Sequence, residues 1–177
     1  MNPLYHGSCL GDLSVIAANA KSHTTEKNVA YLTECRAYAL ICCRLPSENF
    51  VTAGTDKNGV VHYFERFPDQ LRVLYGGRIG YVYTAAPCDP LTPSKPYAYE
   101  SETDVPVLSC ETIPDVLSAL LVEEAKGTLV VHRYDEIDPA EQKEHAEYLR
   151  DHLHESVYDA YRAFLIRHFS PLWEPKE

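Results

Sequence analysis

Two short stretches near the N-terminus decide the fold: residues 4–8, with the sequence LYHGS, and residues 29–33, with the sequence VAYLT. Both have the aromatic and aliphatic composition of a short β-strand. The first carries His6 beside Gly7, and the second carries the phenol ring of Tyr31. We predict that both strands end at a cleft, which the imidazole and the aromatic ring face.

A His-Gly-Ser strand end followed by a Tyr strand end resembles the opening of the ADP-ribosyltransferase fold in its His-Tyr-Glu branch. Diphtheria toxin and the poly(ADP-ribose) polymerases belong to this branch. The resemblance covers residues 1–110 and implies an α+β fold of split antiparallel β-sheets with an NAD cleft, followed by C-terminal helices. It also implies that NAD is a substrate, cleaved at its nicotinamide–ribose bond, and that ADP-ribose passes to an acceptor the sequence does not identify.

The resemblance assigns roles to five cofactor-binding residues. In the family the His contacts the adenosine-side ribose, and the backbone of the following Gly pairs with the nicotinamide carboxamide, which implies these roles for His6 and Gly7. Ser8 would form a hydrogen bond in the same corner. Tyr31 would stack on the nicotinamide ring, and Tyr38, on the helix predicted next, would close its other face. Glycine suits close approach of a ligand because it has no Cβ atom.

The reaction also needs a carboxylate beside the positive charge that develops as the bond breaks. Family order places it at the start of a later strand. The sequence offers Glu102 and Glu100 just before a strand predicted over residues 104–110, and their spacing puts both on one side of an extended segment. We prefer Glu102 as the catalytic residue, with Glu100 second and Glu65 third.

Two alternatives stay open. One is a non-catalytic binding or interaction module on the same fold. The other is an RNA 2′-phosphotransferase-like enzyme, which would hold an RNA phosphate with basic side chains. The cations near the motifs are Arg36, Arg44, Lys21 and Lys27. With a formal net charge of −10, the chain repels a phosphate backbone on average, which disfavours nucleic acid as a partner.

Composition narrows the other possibilities. The 177 residues suffice for a single domain with its own core. No apolar stretch approaches the roughly 20 residues of a membrane span, and no basic segment followed by an apolar core opens the chain, so we predict a cytoplasmic protein. Cysteines and histidines show no close clustering, which predicts free thiols and no metal site.

The pattern along the chain predicts an α+β order of elements. We expect a short helix over residues 13–18, a helix over 34–44, and a hairpin of strands 50–55 and 60–65 around the Asn58-Gly59 turn. Further strands are predicted over 71–75 and 80–84, and a loop over the proline-rich residues 87–96.

Residues 111–177 are predicted to form a mainly helical C-terminal extension, with a strand over residues 128–132. Its last part reads as one amphipathic helix that opens at Asp138-Pro139. The helix ends in apolar residues, which either pack on the domain itself or bury against a second copy to form a homodimer: Phe164, Leu165, Phe169, Leu172 and Trp173.

Overall fold

The computed structural model describes residues 2–22, 25–88 and 90–173. Within these ranges the strands are β1 (Tyr5–Ser8), β2 (Val15–Ile16), β3 (Ala20–Lys21), β4 (Asn28–Thr33), β5 (Thr52–Thr55), β6 (Val61–Phe64), β7 (Gly80–Ala85), β8 (Thr92–Lys95), β9 (Ala98–Ser101), β10 (Val105–Ile113) and β11 (Leu129–His132). The helices are α1 (Arg36–Ile41), α2 (Gln70–Tyr75), α3 (Val116–Ala125), α4 (Pro139–His152) and α5 (Arg162–Trp173). None of the described helices is long and apolar enough to cross a membrane.

The strands form two sheets. The larger has eight antiparallel strands in the order β2-β10-β7-β1-β4-β9-β8, with β3 added on β4. The smaller has the order β11-β6-β5, in which β11 and β6 are parallel and β5 and β6 antiparallel. The predicted α+β class is therefore confirmed, with an antiparallel main sheet and a small mixed one.

The main sheet opens between β1 and β4. These neighbours share one paired position, Tyr5 with Thr33. By contrast, β1 pairs with β7 over four positions and β4 pairs with β9 over four. Beyond Tyr5 the two strands therefore separate, and each remains held by its other neighbour.

Both faces of the main sheet are covered by apolar side chains. Helices α1, α2 and α3 and the small sheet share one core, which includes Leu40, Tyr63, Leu74, Val82 and Leu120. The other face buries a smaller cluster: Leu4, Ile16, Ala30, Leu32, Tyr83, Ala85 and Val105. The first core holds α1 against β1, and this contact forms one side of the opening between β1 and β4.

Short polar segments form the turn between β5 and β6 and the N-terminal caps of two helices. The hairpin of β5 and β6 turns where Asp56 Oδ1 accepts hydrogen bonds from the backbone N–H groups of Asn58 and Val60. Gly59 supplies the left-handed backbone, at φ 84°. Asp115 and Asp138 cap α3 and α4 by accepting hydrogen bonds from backbone N–H groups. The predicted hairpin turn and the predicted helix start at Asp138-Pro139 are confirmed.

Three predicted elements near the sheet are wrong. Residues 13–18 contain the short strand β2 and no helix, because Asp12 adopts a left-handed backbone (φ 60°) and β2 pairs with β10. Residues 71–75 lie in helix α2 and not in a strand. The proline-rich segment contains β8, which pairs with β9 at the edge of the sheet, where a strand tolerates proline.

The prediction of a single C-terminal helix is also wrong, because the chain forms two helices, α4 and α5, with a turn between them. Arg162 fixes this turn by donating hydrogen bonds to the carbonyl oxygens of Leu153, His154 and Glu155. Leu165 and Phe169 are fully buried against Phe67 and α4, so this part of the apolar end packs on the domain itself. The strand predicted over residues 128–132 is confirmed as β11, which pairs with β6 in the small sheet.

Candidate functional site

The opening between β1 and β4 forms a cleft of about 400 Å³. Elements distant in sequence line it: β1, β3 and β4 from the first 33 residues, α1 from the next segment, and β8 and β9 from the middle of the chain. Among the predicted site residues, His6, Gly7, Tyr31 and Tyr38 all line this cleft. The structure therefore brings together four of the five residues that the resemblance assigns to cofactor binding.

His6 spans the gap between the two separating strands. Its Nδ1 atom lies 3.0 Å from the carbonyl oxygen of Tyr31. A carbonyl oxygen only accepts, so Nδ1 carries the hydrogen, and in the neutral ring Nε2 is a hydrogen-bond acceptor. Burial lowers the pKa of His6 below its ordinary value, and the bond to Tyr31 opposes this only in part. At neutral pH the imidazole is therefore uncharged, with its tautomer fixed by β4.

Two tyrosine rings face the cleft from different elements. Tyr31 projects from β4 and its hydroxyl donates a hydrogen bond of 2.8 Å to the carbonyl oxygen of Lys21 on β3. Tyr38 projects from α1, where burial raises the pKa of its hydroxyl. The rings of Tyr31 and Tyr38 therefore offer two π faces to a ligand.

Gly7 is required by the packing of α1. A Cβ atom added at Gly7 would lie 1.6 Å from the carbonyl oxygen of Ala39. The backbone of the helix therefore rests directly on β1, and only glycine permits this approach. Sequence reasoning assigned the missing Cβ to the approach of a ligand, whereas the structure supplies a neighbouring helix as the physical reason.

Ser8 lies outside the lining of the cleft. Its Oγ atom accepts a hydrogen bond from the backbone N–H of Leu10 at 3.0 Å, which makes a local turn at the end of β1. The predicted contact between Ser8 and a ligand in the His6 corner is therefore not supported by this geometry.

The three candidate carboxylates occupy different environments. Glu102 is exposed and forms an ion pair with Lys27 at 2.6 Å, away from the cleft. Glu100 is buried on β9, directly across the ladder from Tyr31, and its Oε2 atom accepts a hydrogen bond of 2.7 Å from Ser22. It lies two residues beyond Ala98, which lines the cleft, and therefore on the same face of the sheet.

Glu65 connects two segments of the fold. It is buried, and its two oxygens accept hydrogen bonds from the backbone N–H groups of Leu71 at 2.9 Å and Tyr134 at 3.1 Å. The carboxylate thus joins the start of α2 to the segment after β11. Both oxygens are engaged and neither faces the cleft, so Glu65 is a structural residue.

The charge of the cleft is positive. Lys21, Arg44 and Lys95 line it, and no described Asp or Glu does. Sequence reasoning weighed Lys21 and Arg44 but missed Lys95, because the surrounding prolines indicated a loop with no fixed direction. The other two cations it weighed are engaged elsewhere: Arg36 pairs with Glu111 and Glu123, and Lys27 pairs with Glu102.

Within the described residues, no cluster of three or more His, Cys, Asp or Glu side chains has the arrangement of a metal site. All six cysteines are free thiols: Cys9, Cys35, Cys42, Cys43, Cys88 and Cys110. Burial raises the pKa of Cys43 to about 12, which keeps this thiol protonated and unreactive. Among these thiols, Cys42 lines the cleft. No protein-family model, curated protein or solved structure matches this chain.

Proposed function

We propose that this chain has an ADP-ribosyltransferase-like fold and that its cleft binds NAD. One observation carries the proposal: His6 and Tyr31 lie on adjacent strands that separate, and both line the resulting cleft together with Tyr38. This arrangement agrees with the split sheets and the two-sided nicotinamide pocket that the resemblance implies. The volume of about 400 Å³ lies within the range of small-molecule sites.

The chemistry of the lining suits the nicotinamide ring and a ribose hydroxyl of NAD. The oxidised ring is flat and cationic, and the aromatic faces of Tyr31 and Tyr38 stabilise such a ring by stacking and by a cation–π attraction. The neutral His6 presents an acceptor nitrogen, which a ribose hydroxyl satisfies by donating a hydrogen bond. The ligand thus finds a stacking surface and a hydrogen-bond acceptor in one cleft.

Replacing Tyr31 by alanine is expected to weaken NAD binding about 10- to 100-fold, because loss of a stacking ring removes roughly 1–3 kcal/mol. Tyr31→Phe keeps the ring and should bind within a few-fold of the wild type. Isothermal titration calorimetry measures both. Tyr148→Ala is the matched control, since Tyr148 is exposed and stacks on His152 of α4. Absence of any NAD binding at millimolar concentration by the wild type would reject the proposal.

A second candidate is cleavage of the bound NAD, and the position of Glu100 favours it. Glu100 faces the same side of the sheet as Tyr31, its partner across the ladder. In the proposed reaction the bond between nicotinamide and the ribose carbon breaks, nicotinamide leaves with the bonding pair, and a nucleophile attacks the cationic carbon and loses its proton. A carboxylate on this face stabilises the developing charge. The acceptor is water or a second molecule.

If the chain cleaves NAD, Glu100→Gln should reduce nicotinamide release at least 100-fold and leave NAD affinity within a few-fold of the wild type. Glu102→Gln should release nicotinamide at the wild-type rate, because Glu102 pairs with Lys27 at the surface. Chromatographic detection of free nicotinamide measures the rates. Equal rates in Glu100→Gln and wild type would exclude Glu100. Binding without release by the wild type would identify the non-catalytic module.

A further inference from the structure

The cationic side chains of the cleft come from three separate elements. Lys21 lies on β3, Arg44 follows α1, and Lys95 lies at the end of β8. These positions are far apart in the sequence, so the fold itself gathers their charges at one cleft. The chain as a whole carries 26 acidic and 16 basic residues, so this concentration of positive charge runs against its overall balance.

None of these three cations forms an ion pair with a carboxylate in the described ranges. Lys21 Nζ donates to the carbonyl oxygen of Glu26 at 3.4 Å, and Arg44 donates to the Asn49 side-chain oxygen and the Ile41 carbonyl, both at 2.7 Å. These acceptors are neutral. Most other basic residues do form ion pairs, namely Lys27, Arg36, Arg66, Arg72, Arg78, Lys126, Arg133, Lys143, Arg150 and Arg162. Outside the cleft, the described basic residues without a carboxylate partner are Lys57 and Arg167, so cations of this kind are concentrated at the cleft.

Arg44 is the least exposed of the three cations. It is half-buried, and its two neutral acceptors hold the guanidinium plane in one orientation at the end of α1. Partial burial of a cation without a counter-charge costs free energy, which an anionic ligand would recover. A planar guanidinium together with two ammonium groups matches phosphate oxygens, which accept hydrogen bonds from both types of donor.

We propose that Lys21, Arg44 and Lys95 form a phosphate subsite, so that the ligand of the cleft is a nucleotide with at least two phosphate groups. This inference rests on the proposed function, because it places the diphosphate of the same NAD molecule whose ring contacts Tyr31. It adds a selectivity: nicotinamide riboside has the same cationic ring without phosphate, and the three cations repel it. ADP has the diphosphate without nicotinamide, and the subsite retains it.

The test compares NAD, ADP and nicotinamide riboside by calorimetry on the wild type and on Lys95→Gln. We expect Lys95→Gln to bind NAD and ADP about tenfold more weakly, and the wild type to bind nicotinamide riboside at least tenfold more weakly than NAD. Lys95 is exposed, so its replacement leaves the core intact. Lys57→Gln is the matched control, because Lys57 is also exposed and lies outside the cleft, in the turn between β5 and β6. Arg44→Lys, which keeps the charge and loses the planar fork, should be weakened as well.

The outcomes separate this inference from the function on which it rests. If NAD binds through Tyr31 but Lys95→Gln and Arg44→Lys bind it as tightly as the wild type, the phosphate subsite is wrong and the NAD proposal stands. If ADP binding depends on Lys95 while NAD gains nothing over ADP and Tyr31→Ala has no effect, the subsite stands and the nicotinamide assignment is wrong. Tighter binding of an RNA end carrying a 2′-phosphate than of NAD or ADP would overturn the dinucleotide assignment.

Discussion

Replacing Gly7 by alanine is expected to lower the free energy of unfolding by about 3 kcal/mol or more. The added methyl group would meet the carbonyl oxygen of Ala39 at 1.6 Å, far inside van der Waals contact. The obstacle is helix backbone, which moves only if the whole of α1 moves. A shift of α1 would displace Tyr38 from the cleft and Leu40 from the core. The substitution is therefore expected to damage both stability and ligand binding.

Urea denaturation followed by circular dichroism measures this effect. Gly54→Ala is the matched control, since Gly54 also lies in a strand but an added Cβ atom has no neighbour within 4 Å. The control should stay within about 0.5 kcal/mol of the wild type. A Gly7→Ala protein as stable as the control would contradict the direct contact between α1 and β1.

Replacing Glu65 by alanine is expected to cost about 3 kcal/mol, because the backbone N–H groups of Leu71 and Tyr134 both lose their acceptor in the interior. Glu141→Ala is the control. Glu141 is exposed and its ion pair with Arg66 is long, at 3.4 Å, so its removal should change stability by less than about 0.5 kcal/mol.

Chemical denaturation of Glu65→Ala and Glu141→Ala gives the comparison, and NAD titration of the folded protein completes it. We expect Glu65→Ala to keep its NAD affinity, because Glu65 does not line the cleft. If Glu65→Ala were as stable as the wild type but released no nicotinamide, Glu65 would be a candidate catalytic carboxylate and not a structural residue.

The parts of the fold that were predictable from sequence are those fixed by local chemistry. The Asn58-Gly59 turn and the Asp138 helix cap depend on backbone preferences within a few residues, and both were predicted correctly. Residues 71–75 failed because two leucines and a valine suit a strand as well as a helix. The helix is favoured by Glu65, whose carboxylate accepts a hydrogen bond from the backbone N–H of Leu71. No sequence pattern predicts that contact.

In the candidate site, some residues were predictable from sequence motifs, and others depend on tertiary contacts. The resemblance grouped His6, Tyr31 and Tyr38, and the structure gathers them at one cleft. The preferred acid, Glu102, pairs with Lys27, which lies 75 residues away in sequence, so its position at the surface is a tertiary property. Lys95 reaches the cleft only because β8 pairs with β9, and β9 with β4. Long-range strand pairing thus determines the charge of the cleft.

The parallel contact between β6 and β11 has a consequence for how the protein is made. The hairpin of β5 and β6 leaves the ribosome well before residues 129–132, which complete the small sheet. Throughout that interval β6 has an unpaired edge, and its inward residues Val61 and Tyr63 lack their final cover. A nascent chain in this state is therefore prone to aggregation until β11 emerges and pairs with β6.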